Sequence, residues 1–401
     1  MSVQLQQIIA SPKARDIYLT VSRHGTVSKQ TLLEESGLTI STLTRILEEL
    51  LAQELLVEAG FGESTGGRRP TLYETNPAYA YLLGLEISRT RAKLVLTDFH
   101  LQLLGEYTWS MDDGLTPQYL MASLEEQALR LLEAASLSFS RVAGLGIGAV
   151  GPLDRTAGVI LNPARFPAPG WSQVRIKDQL EQRLQLPVCL DNGANTALLG
   201  EYWASRSRMQ HHLLYLHAGI GLRTAIMNDG RLLYGMTDTE GAAGQMIIDR
   251  PGVPPQIPGG NAGAWESYVS VQTLEGQARE AWRLGSSTSL RALAEQAEAL
   301  DFVHLLEALR ERDPVMVRLF DEMAVACGIG LANLINILHP EEVILGGPLF
   351  LAADFYETAT RIALERTYYR GQYNVRFTRS SLGERAVATG ACALVLHQLT
   401  S

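Results

Sequence analysis

The stretch "VCLDNGANTALLGEY", Val188 to Tyr202, decides the reading of the fold. Its first residues, Val188–Leu190, form an apolar run of strand length. A polar Asp-Asn-Gly-Ala-Asn turn follows, and the segment on to Tyr202 predicts a helix. A strand passing straight into a helix is the building unit of α/β architecture. Upstream, "LLGLEIS", "AKLVLTD" and "QLLGEYTW" read as strands, with a helix around Tyr119 to Ala135. "VAGLGIGAVGPLD" reads as an apolar strand ending in a glycine-rich turn. Downstream, "HLLYLHAGIGLRTAIMNDGRLLYG" is a strand pair about a glycine turn. A helical region near 271–338, the strand "EEVILGGPL" and the helix "ERAVATGACALVLHQL" complete the chain. Strand triplets that alternate with helices, twice over, predict two similar lobes and a cleft for a small ligand.

The front of the chain has another character. "PKARDIYLTVSRHG" predicts a helix stopped by Gly25, and "SKQTLLEESG" one that starts at the capping residue Ser28 and ends at Gly37. In "LTISTLTRILEELLAQELLVE", Ile40, Leu43, Ile46, Leu47, Leu50 and Leu51 fall at helical spacing and are expected to pack inward. Ser41, Thr42, Thr44 and Arg45 occupy the other face. Short hydrogen-bonding side chains with one arginine are the type that reads base edges in the major groove. Val57 and Leu72–Tyr73 predict two short strands around a glycine-rich wing, whose "GGRRP" sets Arg68 and Arg69 on its tip. Arginines on a slim loop suit a narrow minor groove. The expectation is a DNA-binding winged helix-turn-helix over residues 1–76 and a second domain over 77–401. A protein-interaction bundle is the alternative, since seven basic residues face nine acidic ones in that segment.

Bulk properties narrow the class further. The 401 residues are 46% hydrophobic and 19% charged, as in ordinary globular proteins. A net charge of −9 opposes general nucleic-acid coating but leaves room for a local DNA patch. The opening "MSVQLQQIIASPKARD" lacks a basic segment followed by an apolar core, and no apolar run is long enough to span a bilayer. The expected location is cytoplasmic. Cys189, Cys327 and Cys392 lie far apart and are expected to be buried thiols, neither a disulfide frame nor a zinc site. His211–His212 is expected in a solvated loop.

At this point the residues carry a resemblance. "LANLINILHPEEVILGGPL", Leu331 to Leu349, closely resembles the C-terminal signature of the ROK family of repressors, open reading frames and kinases. "GAAGQ", Gly241 to Gln245, resembles its Gly-X-Ala-Gly-Glu sequence, and the front of the chain resembles the winged helix-turn-helix of its repressor members. The resemblance implies an α/β, two-lobed actin-like/sugar-kinase (ribonuclease H-like) domain behind the DNA reader.

The family's kinase chemistry needs a phosphate cradle, a magnesium ion and a base. In "EISRT", Ser88 and Arg89 stand where the first phosphate loop of the kinases has two glycines. "HAGIGLR" keeps only Gly219 and Gly221 of the second loop. Gly193 stands in place of the catalytic Asp. Asp191 lies two residues earlier, a step of ~6–7 Å along a strand, too far for a base that must hydrogen-bond its substrate. The resemblance therefore implies lost phosphoryl transfer and no catalytic residue. A kinase that uses Asp191 as a displaced base is the alternative. The zinc ligands of the family are replaced by Ile248, Ile257, Gly259 and Ala264, so no metal cofactor is expected. Pocket residues implied by the resemblance are Asn192, Gln245, Glu266 and Trp171, with an indole suited to carbohydrate C–H faces. Each has a plainer role open to it: Asn192 as a helix cap, Glu266 as a helix-start carboxylate, Trp171 as core.

The expected function is a transcriptional regulator, a repressor of carbohydrate-utilisation genes. Its expected partners are a double-stranded DNA operator, a small carbohydrate effector and a second copy, in a homodimer or homotetramer. A ligand-independent interaction protein with a decayed cleft is the remaining alternative.

Overall fold

The computed structural model describes residues 8–63, 69–163, 166–205, 210–236, 242–250, 252–255, 259–286, 288–368 and 370–400. Arg68, Gly241 and Ile257, all singled out above, lie outside the described residues. The chain divides into two compact units, Met1–Met209 with Arg385–Ser401, and Gln210–Glu384. The expected boundary after residue 76 falls inside the first unit.

That unit opens with α1 (Pro12–His24), β1 (Thr26–Ser28), α2 (Lys29–Ser36) and α3 (Ile40–Ala52). Side chains of Ser11, Ser28 and Thr39 accept the N–H groups of Ala14, Thr31 and Thr42, so each helix start is capped. Strands β2 (Leu56–Phe61) and β3 (Thr71–Thr75) complete an antiparallel sheet of order β1-β3-β2. Ile17, Val21, Leu32, Leu43, Ile46, Leu47 and Leu50 close a separate small core. One member of the expected inward stripe is outside it. Ile40 is 66% exposed, because side chains lean toward a helix's N-terminus and this first residue leans past the end of the core.

A five-stranded sheet follows, built from β4 (Tyr81–Ile87), β5 (Arg91–Thr97), β6 (Leu103–Ser110), β7 (Val142–Ala149) and, later, β10. Helix α4 (Pro117–Ala134), the ribbon β8 (Leu153–Asp154) with β9 (Val159–Ile160), and helix α5 (Ile176–Leu184) lead into β10 (Val188–Asn192) and α6 (Gly193–Ala204). The sheet order is β10-β7-β4-β5-β6, antiparallel across β4–β5–β6 and parallel across β4–β7–β10.

The second unit repeats that order. Its strands are β11 (Leu213–Ala218), β12 (Leu222–Asn228) and β13 (Arg231–Leu232). Helices α7 (Trp265–Tyr268), α8 (Val271–Arg283), α9 (Thr288–Leu293), α10 (Phe302–Arg310) and α11 (Pro314–Leu338) come next. Strand β14 (Glu342–Gly346), helix α12 (Ala353–Arg366) and strand β15 (Arg376–Arg379) end the unit. The order β13-β12-β11-β14-β15 is again two antiparallel pairings followed by two parallel ones.

Helix α13 (Ala386–Thr400) returns to the first sheet. The glycines of β7 lie within the strand expected there and admit this helix. A Cβ at Gly146 would lie 1.7 Å from the carbonyl oxygen of Ala391, so no other residue fits without moving the helix. The three cysteines are buried and unpaired with one another. Burial pushes the Cys189 and Cys392 thiols up to about 12 and raises Cys327 as well. Among the described residues no helix is long and apolar enough to cross a membrane.

Candidate ligand residues and DNA-contact surface

The β10–α6 junction is built by its own polar side chains. Asn192 ends the strand in extended conformation and its Oδ1 accepts the Asn195 N–H at 2.8 Å, capping α6. Asp191 Oδ1 accepts the Asn192 N–H at 2.7 Å and the Asn195 side-chain amide at 3.0 Å. Asp191 is 2% exposed. Its carboxylate is thus anchored to the start of the helix that follows. Gly193 has room beside it: an added Cβ would meet only Val387, at 3.7 Å. A side chain can therefore start at this position without a clash at its first carbon.

The β4–β5 turn closes on Ser88, whose hydroxyl donates to the Arg91 carbonyl at 2.9 Å. Nearby, Arg91 Nε stands 3.5 Å from Glu86 Oε1. In the second unit, Glu266 sits in the first turn of α7 and its Oε2 accepts the Leu222 N–H at 2.9 Å, bracing the β11–β12 hairpin. Gly221 lets that oxygen approach, since a Cβ there would come within 2.5 Å of it and push the Glu266 side chain aside. Gln245 Oε1 accepts the Asn261 N–H at 3.0 Å, and the Asn261 amide donates to the Gln245 carbonyl at 2.9 Å. These bonds tie down part of the proline- and glycine-rich segment in which the family's zinc ligands are replaced.

Other anchors of that segment were not legible in the sequence. The Tyr268 hydroxyl donates to Asp249 Oδ2 at 2.7 Å and accepts the Val253 N–H at 2.9 Å. Burial, then the bond to Asp249, raises the Tyr268 pKa. Ile248 packs against the core of the unit and Ala264 is 1% exposed. Two of the four replaced positions thus carry apolar packing. Among the described residues no three His, Cys, Asp or Glu side chains cluster so as to hold a metal ion.

Trp171 corrects the expectation of a stacking platform. It is 3% exposed, belongs to the core of the first sheet and donates its indole N–H to the Leu115 carbonyl at 3.0 Å. Its ring lies 5.3 Å from that of Phe166. A bulky apolar ring with one satisfied donor is most stable there.

On α3, Ser41 and Arg45 are exposed and Thr42 is half-buried. The Thr39 hydroxyl lies 3.2 Å from that of Ser41 and 2.8 Å from that of Thr42. The Thr44 hydroxyl donates back to the Ile40 carbonyl at 2.6 Å and accepts from Lys29 Nζ. Arg69 is exposed at the base of the wing, whose arms are joined where the Gly62 N–H donates to the Pro70 carbonyl at 2.9 Å.

One pocket, of about 60 Å³, brings the N-terminal helices and the first sheet together. Tyr18, Glu74, His100, Trp203, Ser205 and Leu396 line it. There His100 Nε2 and Thr75 Oγ1 hydrogen-bond at 2.8 Å. Helix α6 runs from Asn192 to this pocket.

Known proteins resemble this chain in sequence and in fold. A xylose repressor of Caldicellulosiruptor bescii is 27% identical over 383 residues, spanning 95% of this chain and 94% of that protein. A glucokinase of Thermotoga maritima is 27% identical over 311 residues, spanning 74% of this chain and 96% of that protein. A solved ROK family transcriptional regulator, a homologue of the E. coli MLC protein, superposes with a TM-score of 0.76 at 22% identity, over 96% of this chain and 97% of that one. That last likeness is one of fold. The ROK family itself matches residues 82–398, from β4 into the last helix, and the chain belongs to that family.

Proposed function

We propose that this protein is a DNA-binding transcriptional regulator, a repressor of carbohydrate-utilisation genes, whose kinase-like part senses a sugar without phosphorylating it. The carrying observation is the extent of likeness. The ROK match leaves the first 81 residues outside it. The glucokinase likeness spans 74% of this chain, whereas the xylose-repressor likeness spans 95%. The repressor likeness must therefore take in most of the N-terminal helices and their sheet. In this reading those elements are a winged helix-turn-helix that contacts a DNA operator through Ser41, Thr42, Arg45, Arg68 and Arg69. Asn192, Gln245 and Glu266 remain the proposed sugar contacts, and each also holds the fold locally. The protein works in the cytoplasm as a homodimer or homotetramer, without a metal cofactor, and sugar releases it from DNA.

The test is selection of duplexes from a random library by the purified protein, followed by salt titration. Arg68→Ala with Arg69→Ala should weaken binding to every duplex and lower the salt slope by about 0.9 for each phosphate no longer neutralised. Failure to enrich any duplex would sink the reading. The glucokinase likeness favours one rival, a kinase that uses Asp191 as its base. Sugar-dependent ADP release from Mg-ATP, abolished in Asp191→Ala, would establish it in place of the sensor.

A further inference from the structure

We infer that Ile40 is a specificity residue that reads the C5-methyl group of a thymine in the major groove. This rests on the reading of the N-terminal segment as a duplex-DNA binder. The core beneath α3 is complete without Ile40: Leu43, Ile46, Leu47 and Leu50 are buried and Ile40 is 66% exposed. Helix stability does not account for it either, because a β-branched residue is a poorer helix former than Ala or Leu. Ile40 lies in the first turn of α3, the end of a recognition helix that meets base edges, with Thr44 one turn along its own side and Ser41 and Arg45 further round the helix, the polar and cationic types suited to base edges and phosphates.

Those polar neighbours are partly engaged within the protein. The Thr39 hydroxyl lies within hydrogen-bond reach of those of Ser41 and Thr42, and that of Thr44 bonds the Ile40 carbonyl and Lys29. Direct polar readout from these hydroxyls competes with bonds already made. The Ile40 side chain has no such competitor. Among the bases only thymine offers an apolar group in the major groove, and it is the complement of an exposed branched aliphatic chain. Phe61, also 66% exposed, lies on the wing strand β2 and does not share the helix face.

The experiment uses the full-length protein and the duplex enriched from a random library. Each thymine is replaced singly by uracil, which lacks only the methyl group, and binding is followed by fluorescence anisotropy. In wild type, one thymine in each half-site should matter, with a loss of about fourfold for one buried methyl. Ile40→Ala should bind the thymine duplex more weakly by a similar factor and be indifferent to uracil at that position. Ile40→Val, which keeps the branched shape, should retain the response. A thermal melt equal to wild type shows that the exposed substitution leaves the fold intact. If Ile40→Ala keeps every thymine-to-uracil response of wild type, or wild type shows none, the inference is overturned while DNA binding stands. If wild type enriches no duplex at all, the DNA-binding reading itself fails, and this inference fails with it.

Discussion

Replacing Trp171 by Ala should cost about 3–5 kcal/mol of stability, the range for emptying a large buried aromatic site. Urea unfolding measures it. A ring held out for stacking on a sugar would leave stability within about 0.5 kcal/mol of wild type. The case shows what a residue's identity leaves open: an indole suits a sugar face and a core equally, and only the Leu115 carbonyl and the Phe166 ring beside it decide. The β10–α6 junction was more legible. Asp, Asn and Asn around a strand end signal a capped helix whatever else they do, and Asn192 does cap α6. The partner of Glu266 was not legible, because the hairpin N–H that it accepts belongs to Leu222, far away in sequence.

Elements were readable where local patterning set them, and their tertiary contacts were not. The caps at Ser28 and Gly37 lie where short-range chemistry predicts them. The strand of β7 was read as a strand, but nothing local explains its glycines; the approach of α13 does. The His211–His212 segment is a loop with His211 exposed, as expected, and it is also held at the front of β14. Glu341 Oε2 accepts the backbone N–H groups of His211 and His212 at 2.6 and 3.0 Å. The bond from the His212 N–H, ahead of the other contributions, lowers the Glu341 pKa from its ordinary 4.5. A carboxylate whose folded pKa is depressed contributes stability above its unfolded value and loses it as pH falls through the folded one. Glu341→Gln should therefore unfold at a lower temperature than wild type at pH 7, and the gap should close as pH falls below that ordinary value and through the depressed one. Differential scanning calorimetry across that range checks it, and a gap independent of pH would place the effect in packing.

At the scale of the whole chain, the repeat of strand triplet and helix was visible in the sequence, and both sheets have the same order. What the sequence did not display is that α6 runs, within the first unit, from the Asn192 junction to the pocket lined by Tyr18 and Glu74. Its 12 residues, about 18 Å at 1.5 Å each, begin at Gly193 next to Asn192 and end near Trp203 and Ser205 in the pocket shared with Tyr18 of α1 and Glu74 of β3. A sugar held at the Asn192 end can alter operator binding only if it favours one arrangement of that joint over another. Linkage then fixes a reciprocal quantity. If the effector weakens operator binding about tenfold, saturating operator must weaken sugar binding about tenfold. Calorimetric titration of the sugar, with and without the selected duplex, measures this ratio. His100→Ala, which removes the bond to Thr75 in the pocket, should shrink the ratio and leave the sugar affinity of the free protein unchanged. A sugar that binds equally well with and without operator would mean that sensing and DNA binding are not coupled in this chain. A ratio untouched by His100→Ala would route the coupling through residues other than this joint.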